Sequence, residues 1–169
     1  MPGPDPVCTE PTPSAAHGGP VSIALARVAR MHRIAAGRRL RELGLYPGQE
    51  MMMMRLWDRG PVRQSELIQS LGLDASTVTK MLQRLEQCGH VHRGPDPADR
   101  RAVLVEATDD GRALRTGVEG VWSDLERLSL DGLAPEDRAE LARLLGLVAE
   151  NLREEAGEAG ECPPPPGVC

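Results

Sequence analysis

Asp74-Ala75-Ser76-Thr77-Val78-Thr79-Lys80-Met81-Leu82-Gln83-Arg84-Leu85-Glu86 is the stretch on which the fold of this chain turns. Asp74 is a good N-cap, because its carboxylate can accept the free backbone N–H groups of a first helical turn. Val78, Met81, Leu82 and Leu85 follow at i, i+3, i+4 and i+7, which makes one apolar helical face. Off that face lie Ser76, Thr77, Thr79, Lys80, Gln83 and Arg84. Short hydroxyls, an amide and two cations suit a nucleic-acid groove, with phosphate contacts at the flanks. The plainer reading is an amphipathic helix with a solvated polar face, and the surroundings have to decide between the two.

Immediately upstream, Gln64 or Ser65 opens a short helix with Leu67, Ile68 and Leu71 inward, and Gly72 breaks it. A short helix, a turn containing Gly and a second helix ended by Gly89 have helix-turn-helix spacing. Downstream, His90-Val91-His92-Arg93 reads as a strand. Gly94 to Arg101 reads as a turn-rich tip, and Ala102-Val103-Leu104-Val105-Glu106-Ala107 as a returning strand. A helix-turn-helix followed by a hairpin is a winged helix. An arginine at the tip, Arg100 or Arg101, can enter a narrow minor groove where negative potential concentrates. Pro61-Val62-Arg63 is short and extended.

Long helices flank this unit. Residues 21–43 form an Arg-rich helix with a rough stripe of Val21, Leu25, Val28, Met31 or His32, Ala35 and Ala36, weakened at Gly37 and stopped at Gly44. Pro47 suits the first turn of a second helix, which Met51, Met54, Leu56 and Trp57 continue and Gly60-Pro61 closes. The run Met51 to Met54 reads either as flexible core filling or as a plastic wall for an apolar ligand. Thr108-Asp109-Asp110-Gly111 starts a helix, with Leu114, Val118, Val121, Leu125 and Leu128 in one stripe up to Asp131-Gly132. Pro135 opens the last helix, striped by Leu141, Leu144, Leu145, Val148 and Leu152. These helices have too little apolar partner surface in one chain, so a homodimer that buries them with the first helix is the economical expectation. Residues 1–20 and 156–169, rich in Pro and Gly, are read as disordered tails.

Composition bounds the rest. The chain has 169 residues, enough for one domain with a real core. Phe is absent, so Leu, Val, Met, Ala and Ile must build that core. The net charge of −5 is unevenly spread: residues 21–59 carry eight Arg against three acids, and residues 108–161 six Arg against fourteen acids. A basic front and an acidic rear can orient a protein on a polyanion. No run of eighteen apolar residues suggests a membrane span and no signal peptide is evident, so the expected location is the cytoplasm. Cys8, Cys88, Cys162 and Cys169 contain no CxxC pair, which argues against a disulfide framework or zinc module. No nucleophile–base arrangement, phosphate-binding glycine loop or HExxH motif is present, so an enzyme is not expected, and no cofactor or metal is expected.

Through Gln64-Ser65-Glu66-Leu67, Leu71-Gly72, Asp74 to Glu86, Gly89 to Arg93 and above all Asp96-Pro97-Ala98-Asp99-Arg100-Arg101 leading into Val103, Val105, Thr108 and Gly111, residues 21–153 resemble the MarR family of bacterial transcription regulators. The resemblance implies a mainly α (α+β) winged helix-turn-helix over about 46–107, with a two-to-three-stranded wing, between dimerisation helices at 21–44 and 108–154. It implies a homodimeric repressor or activator on a pseudo-palindromic operator, with the helix at 74–88 in the major groove and a wing arginine in the minor groove. The DNA-binding positions are then Ala75, Ser76, Thr77, Thr79, Lys80, Gln83, Arg84, Asp99, Arg100 and Arg101, with Asp99 holding Arg101 in position. Small phenolic or other aromatic ligands between the DNA-binding lobe and the dimer helices would release DNA. His32, Met51, Met54 and Trp57 are the candidate lining of that site.

Three features depart from the family pattern. His90 and His92 share one strand face near Cys88, where a metal site is conceivable against the plainer reading of partly exposed histidines. Cys88 itself could be a thiol sensor with Arg84 beside it. The lack of Phe and the Met-rich second helix leave the effector pocket without the family's usual aromatic lining. The alternatives to a DNA-binding regulator are therefore a winged-helix protein-interaction module and a thiol- or metal-responsive regulator.

Overall fold

A computed structural model describes residues 18–156. The tail readings, with Cys8, His17, Cys162 and Cys169, lie outside these residues, except that Pro20 opens the first helix and Ala156 closes the last. The elements in order are α1 (Pro20–Glu42), α2 (Gln49–Arg59), β1 (Val62–Arg63), α3 (Gln64–Leu71), α4 (Ala75–Gln87), β2 (Val91–Pro95), β3 (Val103–Ala107), α5 (Asp109–Ser129) and α6 (Pro135–Ala156). The fold is mainly helical with one small antiparallel sheet of strand order β1-β3-β2. Val62 pairs with Val105 and Arg63 with Leu104, while β2 runs from Val91 opposite Ala107 to Pro95 opposite Val103. The extended Val62-Arg63 segment is thus the third strand of the wing.

One core joins α1 to α5. Leu40, Leu45, Met52, Met53, Leu67, Val78, Leu82, Leu85, Val105, Val118 and Leu125 are all fully buried within it. Isoleucine contributes only Ile68 at its edge, so Leu, Val, Met and Ala carry the packing. The methionine run divides: Met52 and Met53 fill the core, Met54 is half-buried at its edge, and Met51 is exposed.

Two glycines let elements approach. A Cβ on Gly111 would lie 2.0 Å from the carbonyl oxygen of His90, so only glycine lets the start of α5 sit against the turn after α4. The same joint is tied by Thr108, whose hydroxyl donates to the Gly89 carbonyl (2.6 Å) and accepts the Gly111 N–H (3.0 Å), and by the Trp57 indole N–H, which donates to the Gly111 carbonyl (3.0 Å). Gly37 brings α1 onto Pro47, whose Cγ would be 2.8 Å from a Cβ there. Its cost in helix propensity is offset by that contact. Pro47 itself lies outside α2, contrary to the first-turn expectation. Gly48 adopts φ +98° as the N-cap, and the Gln49 and Glu50 side chains accept the N–H groups of Tyr46 (2.8 Å) and Gly48 (2.6 Å). Those acceptors satisfy backbone donors of the turn that leads into α2.

The flanking helices are different. Of the described side chains of α6, only Val148 is half-buried; Leu141, Leu144, Leu145, Leu147 and Leu152 are exposed. Val21, Val28, Met31 and Ile34 on α1 and Leu128 on α5 are exposed as well. The α5 stripe read from the sequence is thus largely covered by this chain's own core, through Val118, Val121 and Leu125, while the α6 stripe and the first half of the α1 stripe stay mostly exposed among the described residues.

Candidate nucleic-acid interface

The Asp74 cap is more elaborate than one hydrogen bond. Its carboxylate accepts the Thr77 N–H (2.9 Å) and the hydroxyls of Ser76 (2.6 Å) and Thr77 (2.6 Å). These hydrogen bonds, the Ser76 hydroxyl foremost, hold the Asp74 carboxyl far below the ordinary carboxylate range. The Thr79 hydroxyl donates to the Ala75 carbonyl (2.7 Å) and accepts the Gln64 side-chain N–H (3.1 Å), which pins α3 to α4. Ser76, Thr77 and Thr79 therefore spend their donor hydrogens on the scaffold, which the sequence did not reveal.

Val78, Leu82 and Leu85 are buried beneath α4, while Ala75, Ser76, Lys80, Gln83 and Arg84 are exposed. At 100° per residue Ser76, Lys80 and Gln83 share the face opposite the core, with Arg84 beside them. The Arg84 guanidinium stands over the Tyr46 ring, 5.6 Å from its centroid, so it is pre-oriented by a cation–π contact rather than free. The Lys80 and Gln83 head groups have no partner among the described residues. At its far end α4 is joined to β2 by Glu86, which takes the Arg93 guanidinium at 2.5 Å and is held below its ordinary range by it.

The wing tip, residues 96–102, is an ordered turn. Asp96 N–H donates to the Ala102 carbonyl (3.0 Å), Asp99 N–H to the Asp96 carbonyl (3.1 Å), and Ala102 N–H to the Asp99 carbonyl (2.9 Å). Asp99 does not pair with the Arg101 guanidinium, as the Asp-x-Arg reading requires. Its carboxylate accepts the Arg101 backbone N–H at 3.1 Å, so it shapes the turn and leaves the guanidinium unpaired among the described residues. The short spacing favours this: at i, i+2 a side-chain-to-backbone bond closes an Asx turn. Arg100 and Arg101 are both exposed. The acid that does carry an ion pair is Asp96, with Arg63 (2.6 Å). It was missed as a site residue, although an Asp two residues before a free N–H is an Asx-turn signal.

The candidate ligand residues divide between two cavities. His32 and Met51 line one of about 470 Å³, together with Thr77 and Met81 of α4. Met54 and Trp57 line another of about 290 Å³ between α2 and α5, rimmed by Asp58, Arg115 and Glu119. Trp122 lines both and was not foreseen; its ring lies 5.9 Å from that of His32, and its indole N–H is buried without an acceptor among the described residues. Trp57 and Trp122 thus line the smaller cavity and Trp122 the larger one. Glu50 also borders the larger cavity, and burial pushes its carboxyl up. Cys88 is an exposed free thiol at the C-cap of α4, and among the described residues no three His, Cys, Asp or Glu side chains converge as metal ligands.

A capped helix presenting amide and cation, backed by a short helix and flanked by a three-stranded hairpin, is a winged helix-turn-helix. The family model for the MarR family matches residues 45–103. The HTH-type transcriptional repressor NicR of Pseudomonas putida is 34% identical over 97 residues, 57% of this chain and 61% of that protein, so the chain spans under two thirds of that relative. The HTH-type transcriptional regulator MgrA of Staphylococcus aureus is 31% identical over 109 residues, 64% of this chain and 72% of that protein. A crystal structure of a mutant MarR from E. coli in complex with operator DNA superposes with TM-score 0.73 at 26% identity, covering 81% of this chain and 99% of that one. The chain belongs to the MarR family, whose members are transcription regulators and not enzymes.

Proposed function

We propose that this protein is a homodimeric, sequence-specific DNA-binding repressor of a pseudo-palindromic operator. In this reading α4 enters the major groove and the wing arginines enter the adjacent minor groove. The observation that carries it is the pair of unpartnered polar surfaces, Lys80 and Gln83 on a rigidly capped helix and Arg100 and Arg101 on an ordered tip. A protein-interaction module would have no use for four unpaired polar head groups on two adjoining elements. The similarity to an operator-bound relative supports the same reading. The exposed apolar residues of α1 and α6, with Leu128 of α5, support the homodimer, because a stable monomer rarely leaves so many apolar side chains in water. The location is the cytoplasm, where operator DNA is met; no described helix is long and apolar enough to cross a membrane.

Anisotropy titration of a duplex taken from upstream of the protein's own gene tests this. Binding should weaken steeply with salt, because each phosphate contact releases counterions. A salt-independent signal, or equal affinity for unrelated DNA, would refute it. Release by a small aromatic effector is the finer part of the proposal. It rests on the larger cavity, which reaches Thr77 and Met81 of α4 from one side and His32 of α1 from the other.

A further inference from the structure

Asp96 is the one buried acid of the described wing, and both of its carboxylate oxygens are engaged. One accepts the Ala98 N–H at 2.8 Å, closing the start of the tip. The other accepts the Arg63 Nε–H at 2.6 Å. Arg63 belongs to a different part of the lobe. It is the last residue of β1 and the N-cap of α3, directly before the helix that Gln64 fastens to α4. The chain of contacts therefore runs from α4 through Gln64 and Arg63 to the base of the loop that carries Arg100 and Arg101. The ladder ends at Pro95 opposite Val103, and one further backbone bond, Asp96 N–H to the Ala102 carbonyl, closes the base of the tip; that bond holds the two arms of the hairpin together, whereas the Arg63 side chain links the tip to the start of α3.

We propose that the Arg63–Asp96 ion pair is a strut that sets the angle of the wing tip relative to α3 and α4, making both residues positioning residues for DNA binding. This rests on the reading that the wing arginines touch DNA. Arg63 is 40% exposed, so the pair adds little to folding stability and its effect is on orientation. A side chain that must enter a narrow groove tolerates little angular error, in the same way that a displaced contact loses its hydrogen-bond geometry.

A competing role for Arg63 is a phosphate contact muted by Asp96. The two predict opposite signs for Asp96→Asn. Its amide oxygen can still accept the Ala98 N–H, but the charge partner of Arg63 is lost. As a strut, the pair makes Asp96→Asn and Arg63→Ala each weaken binding to the upstream duplex by about five- to tenfold, with Arg63→Lys within about twofold of wild type. As a muted phosphate contact, Asp96→Asn strengthens binding, which overturns the proposal. The second readout needs no DNA. Amide hydrogen exchange of the full chain should quicken at residues 97–102 in Arg63→Ala while α4 and α5 keep wild-type protection. Unchanged exchange at the tip overturns the strut even if DNA binding falls. Quickened exchange with no loss of affinity in either Arg63→Ala or Arg101→Ala would uphold the strut's mechanics and instead refute the wing's contact with DNA.

Discussion

The winged-helix lobe and the flanking helices solve burial in opposite ways. In the lobe, every long apolar stripe ends against another element of the same chain: Val78, Leu82 and Leu85 of α4 meet Leu67, Val91 and Val105 in one core. In α6 an equally regular stripe of leucines stays exposed, with only Val148 half-buried, and α1 is fully buried only at Ala36, Gly37 and Leu40. The polar surfaces contrast as well. The lobe's carboxylates are spent on fixing shape, as in Asp74, Glu86 and Asp96. Two acids of α6 pair locally with arginines a turn away, Glu140 with Arg143 and Glu150 with Arg153. The lesson is that the lobe specifies its own geometry, while the helices leave apolar faces that, in the proposed homodimer, a second copy would cover.

The sharpest way to break this contrast is at the joint between the two regions. Gly111→Ala drives a methyl into the His90 carbonyl and should cost about 3 kcal/mol or more, the upper end for overpacking; thermal unfolding followed by circular dichroism measures it. Within the lobe, Leu82→Ala should cost about 2–5 kcal/mol as a buried leucine truncation, by the same measurement. On α6, replacing exposed Leu144 and Leu145 together by Glu should convert dimer to monomer in light scattering, with DNA affinity falling because two half-sites are no longer engaged together. Retention of the dimer would show that the helices are not the interface. Arg101→Ala should weaken operator binding on the order of tenfold with thermal stability unchanged. The smallest effect is on pH. The carboxyls of Asp74, Glu86 and Asp96 are held below their ordinary values, by the Ser76 hydroxyl, the Arg93 guanidinium and the Ala98 N–H respectively. Their contribution is complete above the unfolded values of about 4 and is lost as pH falls through the depressed folded values. Acid unfolding of Asp74→Ala should be less steep than that of wild type across this range.

Much of this was legible beforehand, for a physical reason in each case. The α4 stretch showed itself because a cap, a period of 3.6 and a glycine stop coincide over thirteen residues. The tip showed itself because prolines and aspartates leave few other conformations. What was hidden depends on distances in space. That Asp96 rather than Asp99 holds an ion pair follows from β1 lying beside β3, which two extended residues between a proline and a helix barely announce. That Met51 and Met54 open onto different cavities separated by Trp122 follows from the packing of α5 on α1 and α2, which no local spacing contains. Ser76, Thr77 and Thr79 read as DNA donors because hydroxyls at a helix start serve caps and phosphates equally well; only the geometry shows the first use.

The central claim is that one unit, α4 with its wing, reads DNA from a two-fold assembly. Hydroxyl-radical footprinting of the full chain on the duplex upstream of its own gene tests it most directly. The account predicts two symmetric protected patches with centres about 10 bp apart, one helical turn, and flanking minor-groove protection that Arg101→Ala removes while the central protection stays. A single unpaired patch, or flanking protection indifferent to Arg101→Ala, would contradict it.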